Sequence, residues 1–299
     1  MIARILNGLL RRFSPLFDDK TYLRLKYRFE MGKSLDFSNC QTMNEKLQWL
    51  KINNRYDRLT DIVDKIKVKD IISKSIGEDY VIPTLKVWKT PEEITHDEIE
   101  KLPESFVIKT NHSGGNTGVI ICKDKSTLNL AALQKKMRTS LKSDIYKVYR
   151  EWPYKNVEKR IFAEQYLGDN LVDYKFYCFN GEVDSVMLCI GRQGNEKTKF
   201  YFFDRNWKLC RYNKAGEAAS DDFTLPKPEG MDEMFDLAAK LSKGYPFVRV
   251  DLYNINGKIY FGELTFFPAS GLDPNRLPET DLYFGNKIDL NIARNDFHK

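Results

Sequence analysis

The chain has 299 residues, of which 42% are hydrophobic and 30% are charged, a globular composition that excludes a disordered or fibrous chain. Its net charge is +6, with basic residues interspersed among acidic ones, which favours small anionic substrates over duplex nucleic acid. The five cysteines form no CxxC pair and the three histidines lie far apart, which argues against zinc and indicates free thiols in a reducing compartment. No apolar run reaches the roughly eighteen residues that cross a bilayer, and no signal peptide is recognisable, so we expect a cytoplasmic protein.

The first region, from residue 1 to about 75, is helical in character. It begins with MIARILNGLLRRF, whose apolar residues share one helical stripe opposite three arginines. We expect this helix to dock on its own domain or on a partner, and the alternative is peripheral contact with an anionic membrane through residues 1–13. Part of an apolar helical face follows at residues 43–52, a charged helix is predicted for residues 61–75, and Pro83 closes the region.

The rest of the chain alternates strands and helices. From residue 80 to about 160 we predict the strand VIPTLKVW, a charged helix over 91–102, the strand SFVIKTN, a glycine loop, the strand GVIIC and a helix over 127–143. After these we predict the strands RIFAEQYL, DYKFYCFNGEVDSVMLCI and KFYFFDRNWKL, a helix over 229–243 and a hairpin. Antiparallel hairpins mixed with helices favour an α+β fold over a doubly wound parallel sheet.

The hairpin at residues 247–265, FVRVDLYNINGKIYFGELT, joins two predicted strands by an Asn-Gly turn. A two-residue loop alone places Asp251 and Glu263 on opposite faces, whereas a three-residue loop or a β-bulge places them side by side. Neighbouring carboxylates with Arg249 predict a site for a divalent ion whose other ligands are phosphate oxygens. A solvated hairpin edge in which Asp251 pairs with Arg249 is the alternative.

A lysine and a glycine loop lie between two predicted strands. The strand FVIK ends in Lys109, and the following loop contains Ser113, Gly114 and Gly115. Glycines without Cβ allow backbone amides to approach phosphate oxygens, and a lysine at a strand end can hold a phosphate. The spacing matches neither a Walker A loop nor a Rossmann fingerprint, and a plain glycine turn explains it equally well.

Three further segments carry polar residues that would suit a nucleotide. The run Glu164-Gln165-Tyr166-Leu167 ends a strand at a Gly-Asp-Asn turn, where backbone groups can receive an adenine edge. In DYKFY, Asp173 and Lys175 share one strand face, which would suit a ribose hydroxyl and a phosphate. Lys65 stands at the head of the charged helix. The respective alternatives are a plain hairpin strand, a cross-strand ion pair and a solvated lysine.

In their order along the chain these residues resemble the ATP-grasp superfamily and, within it, the TupA-like group of teichuronopeptide biosynthesis. The resemblance covers nearly the whole chain from about residue 40, and NEKLQWLK and DYKFYCFNG are similar to segments particular to that group. It implies an ATP-grasp fold of two α+β lobes that clamp ATP, with a helical region at residues 1–60 and an ATP-grasp domain at residues 61–299. A small glycine-loop lobe is expected at about 84–160 and a large metal-binding lobe at about 161–285.

The resemblance also implies roles for the candidate residues. Phosphate contacts are implied for Lys65, Lys109, Lys175 and the flap residues Ser113, Gly114 and Gly115. Adenine contacts are implied for the hinge Glu164, Gln165, Tyr166 and Leu167, and the ribose contact for Asp173. The implied Mg²⁺ ligands are Asp251, Glu263 and Thr265, where Thr265 replaces the asparagine usual in the family. Arg249 resembles the catalytic arginine, and a further phosphate-binding residue is expected among Arg192, Lys197 and Lys199.

What the resemblance implies is an ATP- and Mg²⁺-dependent carboxylate–amine ligase that acts through an acyl phosphate. By analogy alone, such an enzyme would attach an amino acid to a uronic-acid carboxylate of a bacterial surface polysaccharide. Two alternatives stay open. A glycosyltransferase of a polysaccharide cluster would use an acidic pair such as Asp221-Asp222, and a sugar or small-molecule kinase would share the ATP site. The acceptor walls are expected in residues 1–60 and 267–276.

Overall fold

A computed structural model describes residues 2–115, 117–169, 171–190 and 198–295. The helices are α1 (Ile2–Arg12), α2 (Asp19–Met31), α3 (Met43–Asn53), α4 (Asp57–Val63), α5 (Lys67–Ile76), α6 (His96–Glu100), α7 (Leu130–Leu141), α8 (Ile145–Tyr149), α9 (Lys214–Glu217), α10 (Met231–Ser242), α11 (Pro278–Lys287) and α12 (Ile292–Asn295). The strands are β1 (Thr84–Trp88), β2 (Phe106–Thr110), β3 (Val119–Cys122), β4 (Ile161–Gln165), β5 (Asp173–Phe179), β6 (Glu182–Ile190), β7 (Lys199–Phe203), β8 (Leu209–Cys210), β9 (Phe247–Ile255) and β10 (Lys258–Thr265). Neighbouring strands are antiparallel throughout these described ranges, which confirms the predicted α+β class.

The chain divides into two compact units. Unit 1 comprises Met1–Tyr56, Lys147–Trp152 and Val172–Lys299, and unit 2 comprises Asp57–Tyr146 and Pro153–Leu171. Residues 1–56 therefore share a unit with the last part of the chain, whereas the predicted boundaries set residues 1–60 apart. The physical reason is α3, whose buried polar side chains are hydrogen-bonded to the backbone around residues 270–273.

Unit 2 is built on a four-stranded sheet with the order β1-β4-β2-β3. Side chains alternate across a strand, so Phe106 and Ile108 of β2 point to the same face. There they join a core with Trp88, Leu133 and Met137, all of which are at most 2% exposed. The helix α7 covers this face of the sheet, and the predicted helix over 127–143 is confirmed with slightly shorter bounds.

The predicted single helix over residues 61–75 is wrong, because two helices meet at Asp64. The Oδ1 atom of Asp64 accepts hydrogen bonds from the backbone amides of Ile66, at 2.9 Å, and Lys67, at 3.3 Å. A side chain that satisfies backbone amides in this way offers an alternative to the helical ladder. Its Oδ2 atom accepts a bond from Arg160 at 3.0 Å, which fixes the carboxylate at the junction of α4 and α5.

Unit 1 is built on a six-stranded sheet with the order β10-β9-β5-β6-β7-β8. One face packs against α10, where the rings of Phe176 and Phe235 meet edge to face at 5.1 Å. Because Phe176 pairs with Val250 and Lys175 pairs with Asp251, the charged pair lies on the opposite face from this core. Nowhere in the described part of the chain is a helix long and apolar enough to cross a membrane.

Candidate active site

The β9–β10 hairpin turns through two residues, as the Asn-Gly signal predicts. Asn256 and Gly257 have φ angles of 53° and 85°, the left-handed values that a tight hairpin turn requires. Ile255 consequently pairs with Lys258. If this pairing continued unchanged along the hairpin, Asp251 and Glu263 would lie on opposite faces of the sheet.

A β-bulge corrects the register further along the hairpin. The pairing shifts at Gly262, so that Glu263 lies opposite Asp251 and Thr265 lies opposite Arg249. A Cβ atom at Gly262 would stand 3.0 Å from the backbone oxygen of Asp251, so glycine suits this close approach of the two strands. Of the two devices considered for bringing the acids together, the hairpin uses the bulge.

Arg249 and Lys175 hold the carboxylate of Asp251, which is 2% exposed. Arg249 donates from Nε to Oδ1 and from a terminal nitrogen to Oδ2, both at 2.7 Å. Lys175 of the neighbouring strand β5 donates to Oδ2 at 2.6 Å. Arg249 also lies 3.3 Å from Glu263 and 3.1 Å from the hydroxyl of Thr265. The predicted residues of three adjacent strands therefore meet in one cluster.

This cluster holds an excess of one negative charge, because the carboxylates of Asp173, Asp251 and Glu263 surround the cations Lys175 and Arg249. Burial alone would lower the pKa values of Lys175 and Arg249, but Asp251 outweighs it and both pKa values are raised. Both side chains are consequently charged at any physiological pH. The buried carboxylate of Asp251 lies between these two cations.

The donor chemistry of the cluster fits magnesium. Asp251, Glu263 and Thr265 offer two carboxylates and one hydroxyl on adjacent strands, and Mg²⁺ prefers oxygen ligands. Across the residues described, no group of three or more His, Cys, Asp or Glu side chains is arranged to hold a metal. Two carboxylates and one hydroxyl would leave the other positions of an octahedral Mg²⁺ to further oxygen atoms, such as those of phosphates. The excess negative charge favours a divalent cation at this position.

In unit 2, two lysines share one buried carboxylate. Lys109 at the end of β2 donates to Oε1 of Glu164, and Lys69 of α5 donates to Oε2 at 3.1 Å. Lys69 also donates to Thr84 and to the carbonyl of Ile82, each at 2.8 Å. Lys69 was not predicted as a site residue, because a lysine on a charged helix is usually solvated. Lys69 lies on the side of α5 that faces the buried carboxylate of Glu164, and this position becomes visible only once the fold is known.

Glu164 is ionised in this arrangement. Burial would raise the pKa of its carboxyl, but the ammonium groups of Lys109 and Lys69 outweigh burial and hold the pKa below its usual value. Its carboxylate therefore binds lysines, whereas the resemblance implied contact with adenine. The neighbouring amide of Gln165 donates to the carbonyl of Pro83 at 3.1 Å. Tyr166 and Leu167, which follow the end of β4, remain the predicted hinge positions.

The glycine loop is fixed at its base by three hydroxyl groups. Thr110 lies 2.6 Å from Ser113 and 2.7 Å from Ser140, measured between hydroxyl oxygens. A Cβ atom at Gly118 would stand 2.3 Å from two of these oxygens, so no other residue fits at Gly118 without moving the cluster. Lys65 donates to the carbonyl of Ser113 at 3.0 Å. Both the hydroxyl and the carbonyl of Ser113 are thus engaged within the protein.

The tip of the loop differs from its base. Gly114 and Gly115 are exposed, and Gly115 has a φ of 60°, which favours glycine. At the base, burial lowers the pKa of His112 to about 4, so the imidazole is neutral at physiological pH. Its Nε2 lies 3.3 Å from the hydroxyl of Ser143. His112 is thereby a structural member of the loop base.

A buried polar stripe on α3 was missed by sequence reasoning, which considered only the apolar side of this helix. Asn44, Gln48 and Lys51 are each at most 1% exposed and follow one another at helical spacing. Gln48 and Lys51 donate to the carbonyl of Ser270 at 2.9 Å and 2.8 Å, and Asn44 donates to that of Asp273 at 3.2 Å. The signal in NEKLQWLK is the set of three polar residues on one face of an otherwise buried helix.

The segment that this stripe holds is a left-handed turn shortly after β10. Ala269, Ser270 and Gly271 have φ angles of 48°, 54° and 62°, and for the two non-glycine residues this conformation costs about 1–3 kcal/mol each. The hydroxyl of Ser270 donates to the buried carboxylate of Glu151. A Cβ atom at Gly271 would lie 2.5 Å from Gln48. The turn therefore exists because α3 fixes its carbonyls, and it belongs to the predicted acceptor segment 267–276.

Three candidates for a further phosphate contact and one acidic pair remain. Lys199 lies at the start of β7, and Arg192 and Lys197 lie outside the described residues. Asp221, one of the acids considered for a glycosyltransferase, is exposed and pairs with Arg211 at 2.8 Å. This pair is an ordinary surface ion pair.

A family model described as TupA-like ATPgrasp matches residues 45–289. No curated protein matches the sequence. Among solved structures, the chain is similar to the D-alanine–D-alanine ligase of Bacillus anthracis in complex with ATP, with 15% identity, a TM-score of 0.48 and coverage of 79% of this chain and 68% of that one. It is also similar to the VanG D-Ala:D-Ser ligase of Enterococcus faecalis, with 15% identity, a TM-score of 0.47 and coverage of 78% and 62%.

These structural similarities are limited in identity and extent, so the assignment rests on the family model. That model spans most of the chain and includes both the lysine group of unit 2 and the hairpin cluster of unit 1. The chain belongs to the TupA-like ATP-grasp family, has the ATP-grasp fold and is an ATP-dependent ligase.

Proposed function

We propose that the protein is a Mg²⁺- and ATP-dependent carboxylate–amine ligase. A carboxylate oxygen of the substrate attacks the γ-phosphorus of ATP, ADP leaves, and an acyl phosphate forms. The nitrogen of an amine then attacks the acyl carbon, phosphate leaves, and the amine loses a proton as the amide forms. The observation that carries the proposal is the bulged hairpin, which gathers Arg249, Asp251, Glu263 and Thr265 beside Lys175.

In unit 1, Asp251, Glu263 and Thr265 would hold magnesium, which neutralises charge on the phosphates when bound. Arg249 would bind the oxygens of the acyl phosphate and of the tetrahedral oxyanion, because a buried guanidinium is a fixed, permanently charged donor. Lys175 would hold a phosphate oxygen and Asp173 a ribose hydroxyl. These assignments use residues that lie side by side on β5, β9 and β10, and they need no nucleophile on the protein.

In unit 2, Lys65 and Lys109 would bind phosphate oxygens, and we add Lys69 because it shares Glu164 with Lys109. Two ammonium groups on one carboxylate leave an excess positive charge, which attracts an anion. The exposed Gly114 and Gly115, with Ser113 at the loop base, would cover the phosphates and keep water from the acyl phosphate. The adenine would meet the backbone of Gln165, Tyr166 and Leu167 beside Glu164.

We propose a uronic-acid carboxylate and an amino acid as substrates, in the synthesis of a cell-surface polysaccharide in the cytoplasm. The support is the resemblance to the teichuronopeptide group, together with five free cysteines that suit a reducing compartment. The positive charge of the lysine group and of Arg249 suits anionic reactants. None of these features selects one uronic acid or one amino acid.

The test is phosphate release from ATP with glucuronate or galacturonate, each offered with a panel of amino acids, followed by mass spectrometry of the product. We expect release that requires Mg²⁺, the sugar acid and the amine together, and an amide product. Glu263→Gln is the inactive control. A phosphorylated sugar formed without an amine would instead identify a kinase, and consumption of a UDP-sugar would identify a glycosyltransferase.

A further inference from the structure

The helix α1 has one face that docks on unit 1. Leu10 is 5% exposed, Lys26 of α2 donates to the side-chain oxygen of Asn7 at 3.4 Å, and Arg150 donates to the carbonyl of Ser14 at 2.8 Å. Residues 7, 10 and 14 recur at helical spacing, so they line one side of the helix and its end. This face of α1 therefore packs on its own unit, as predicted.

The other face of α1 carries large apolar side chains that nothing in the described chain covers. Ile5, Leu9, Phe13 and Leu16 are 57%, 48%, 46% and 77% exposed. The first three follow one another at intervals of four, so they share one helical face. Together with the exposed Arg11 and Arg12, they form what we call the α1 patch. An exposed apolar stripe on a helix that also carries arginines is typical of a surface that binds another molecule.

The net positive charge of the chain is concentrated in its first 33 residues, which include α1 and α2. Residues 1–33 contain eight lysines and arginines and three aspartates and glutamates, which give a net charge of +5 out of the +6 of the whole chain. Residues 34–299 therefore carry a net charge of only +1. The chain as a whole is therefore mildly basic because its first 33 residues are strongly basic, whereas the rest of the chain is nearly neutral. An occupant of the patch should accordingly be negatively charged as well as apolar.

We propose that the α1 patch binds the surface of an anionic lipid bilayer, with α1 lying along the interface. Apolar side chains of such a helix enter the region between headgroups and acyl chains, while arginines beside them meet anionic headgroups. A second copy of this chain is the less suitable occupant, because a symmetric contact would bring two equally basic surfaces together. The proposal concerns residues outside the ligase cluster and is independent of the ligase reaction.

The experiment is flotation of the full chain with vesicles of phosphatidylcholine containing phosphatidylglycerol, and with vesicles of phosphatidylcholine alone. We expect binding to the anionic vesicles that weakens as salt is added, since the headgroup attraction is screened. Leu9→Glu should lower the bound fraction about tenfold or more. Leu282→Glu is the matched control, because Leu282 on α11 is 45% exposed and receives the same change.

A second pair of variants separates charge from apolar contact. Arg12→Ser should weaken binding to anionic vesicles about fivefold, whereas Arg58→Ser, on the exposed surface of α4, should leave it unchanged. Circular dichroism melting checks that each variant is folded, and size-exclusion chromatography reports self-association. The proposal is overturned if the parent does not float with anionic vesicles, or if Leu9→Glu and Leu282→Glu bind equally. It is also overturned if Leu9→Glu abolishes a dimer without affecting flotation.

Discussion

Single charged residues decide the character of both candidate groups. Glu164 neutralises one of the two ammonium groups that surround it, and Asp251 is held by a guanidinium and an ammonium at once. Buried charges of this kind are stable only as sets, because removal of one partner leaves the other uncompensated. The consequences can be measured one residue at a time.

Glu164→Gln should destabilise the protein by about 2–3 kcal/mol at neutral pH, because Lys69 and Lys109 lose a shared, buried counter-ion. The folded pKa of Glu164 is depressed, so its contribution is present above the ordinary value of 4.5 and is lost as pH falls through the lower folded value. The difference between the melting temperatures of parent and variant should therefore narrow below pH 4.5. Melting curves across a pH series measure this.

The matched control for that series is Glu158→Gln, because Glu158 is exposed. Its melting temperature should follow the parent at every pH. A difference between Glu164→Gln and the parent that stays constant down to the acid limit would show that the carboxylate is not held ionised by the lysines.

Asp251→Asn and Glu263→Gln should separate stability from metal binding. Asp251→Asn leaves Arg249 and Lys175 without their buried carboxylate, at a cost of about 3 kcal/mol. Glu263 has a side chain that is 35% exposed and lies 3.3 Å from Arg249, so Glu263→Gln should cost less than about 1 kcal/mol. Denaturant unfolding measures these costs.

Both hairpin variants should nevertheless lose the part of the ATP affinity that depends on Mg²⁺. Titration of ATP with and without Mg²⁺ measures that part. Parent-like Mg²⁺ dependence in Asp251→Asn would contradict the assignment of Asp251 as a metal ligand, even if the variant is less stable.

Among the elements, the β9–β10 hairpin shows what pattern reasoning can and cannot supply. The Asn-Gly turn and the alternation of apolar residues predict two strands and a two-residue loop, which the structure has. Whether the hairpin contains a bulge could not be predicted, because the alternation of apolar residues does not say where a strand gains a residue. Gly262 is the available signal, since a glycine inside a strand often marks a bulge or a close backbone approach.

The helix α3 provides the second element, and its stripe can be tested with two lysines. Lys51→Met removes the donor to the carbonyl of Ser270 and the charge that interacts with the buried carboxylate of Glu151, so we expect a loss of about 3 kcal/mol of stability. Lys46→Met is the matched control, because Lys46 lies on the same helix and donates to the carbonyl of Ile288 at 2.9 Å. That change should cost about 1 kcal/mol. Denaturant unfolding compares the two.

The difference in stability between the parent and Lys51→Met should depend on pH. Burial lowers the pKa of Lys51 to about 7, below its ordinary value of 10.5, so between these values the unfolded chain binds more protons than the folded one. The parent should therefore gain stability relative to Lys51→Met as the pH rises through that window. A flat difference over this range would contradict a buried, titrating Lys51.

At the scale of the whole molecule, the sequence predicts the elements better than their association. The α+β class, most strands and the helices over 127–143 and 229–243 follow from periodicity and turn signals. The division into units does not follow from these local signals. Residues 1–56 and 172–299 associate through contacts between residues far apart in sequence, such as those of α3 with the turn after β10. Lys69 was missed for the same reason, since its partner Glu164 is 95 residues away.

The most direct test of the account is calorimetric titration of ATP, or of a nonhydrolysable analogue, into the parent, Lys109→Ala and Glu263→Gln, with and without Mg²⁺. Lys109 and Glu263 belong to different units, so the two variants examine both groups separately. We expect Mg²⁺-assisted binding by the parent and a loss of at least about tenfold in affinity in each variant. A parent that ignores ATP but binds UDP-sugars would contradict it.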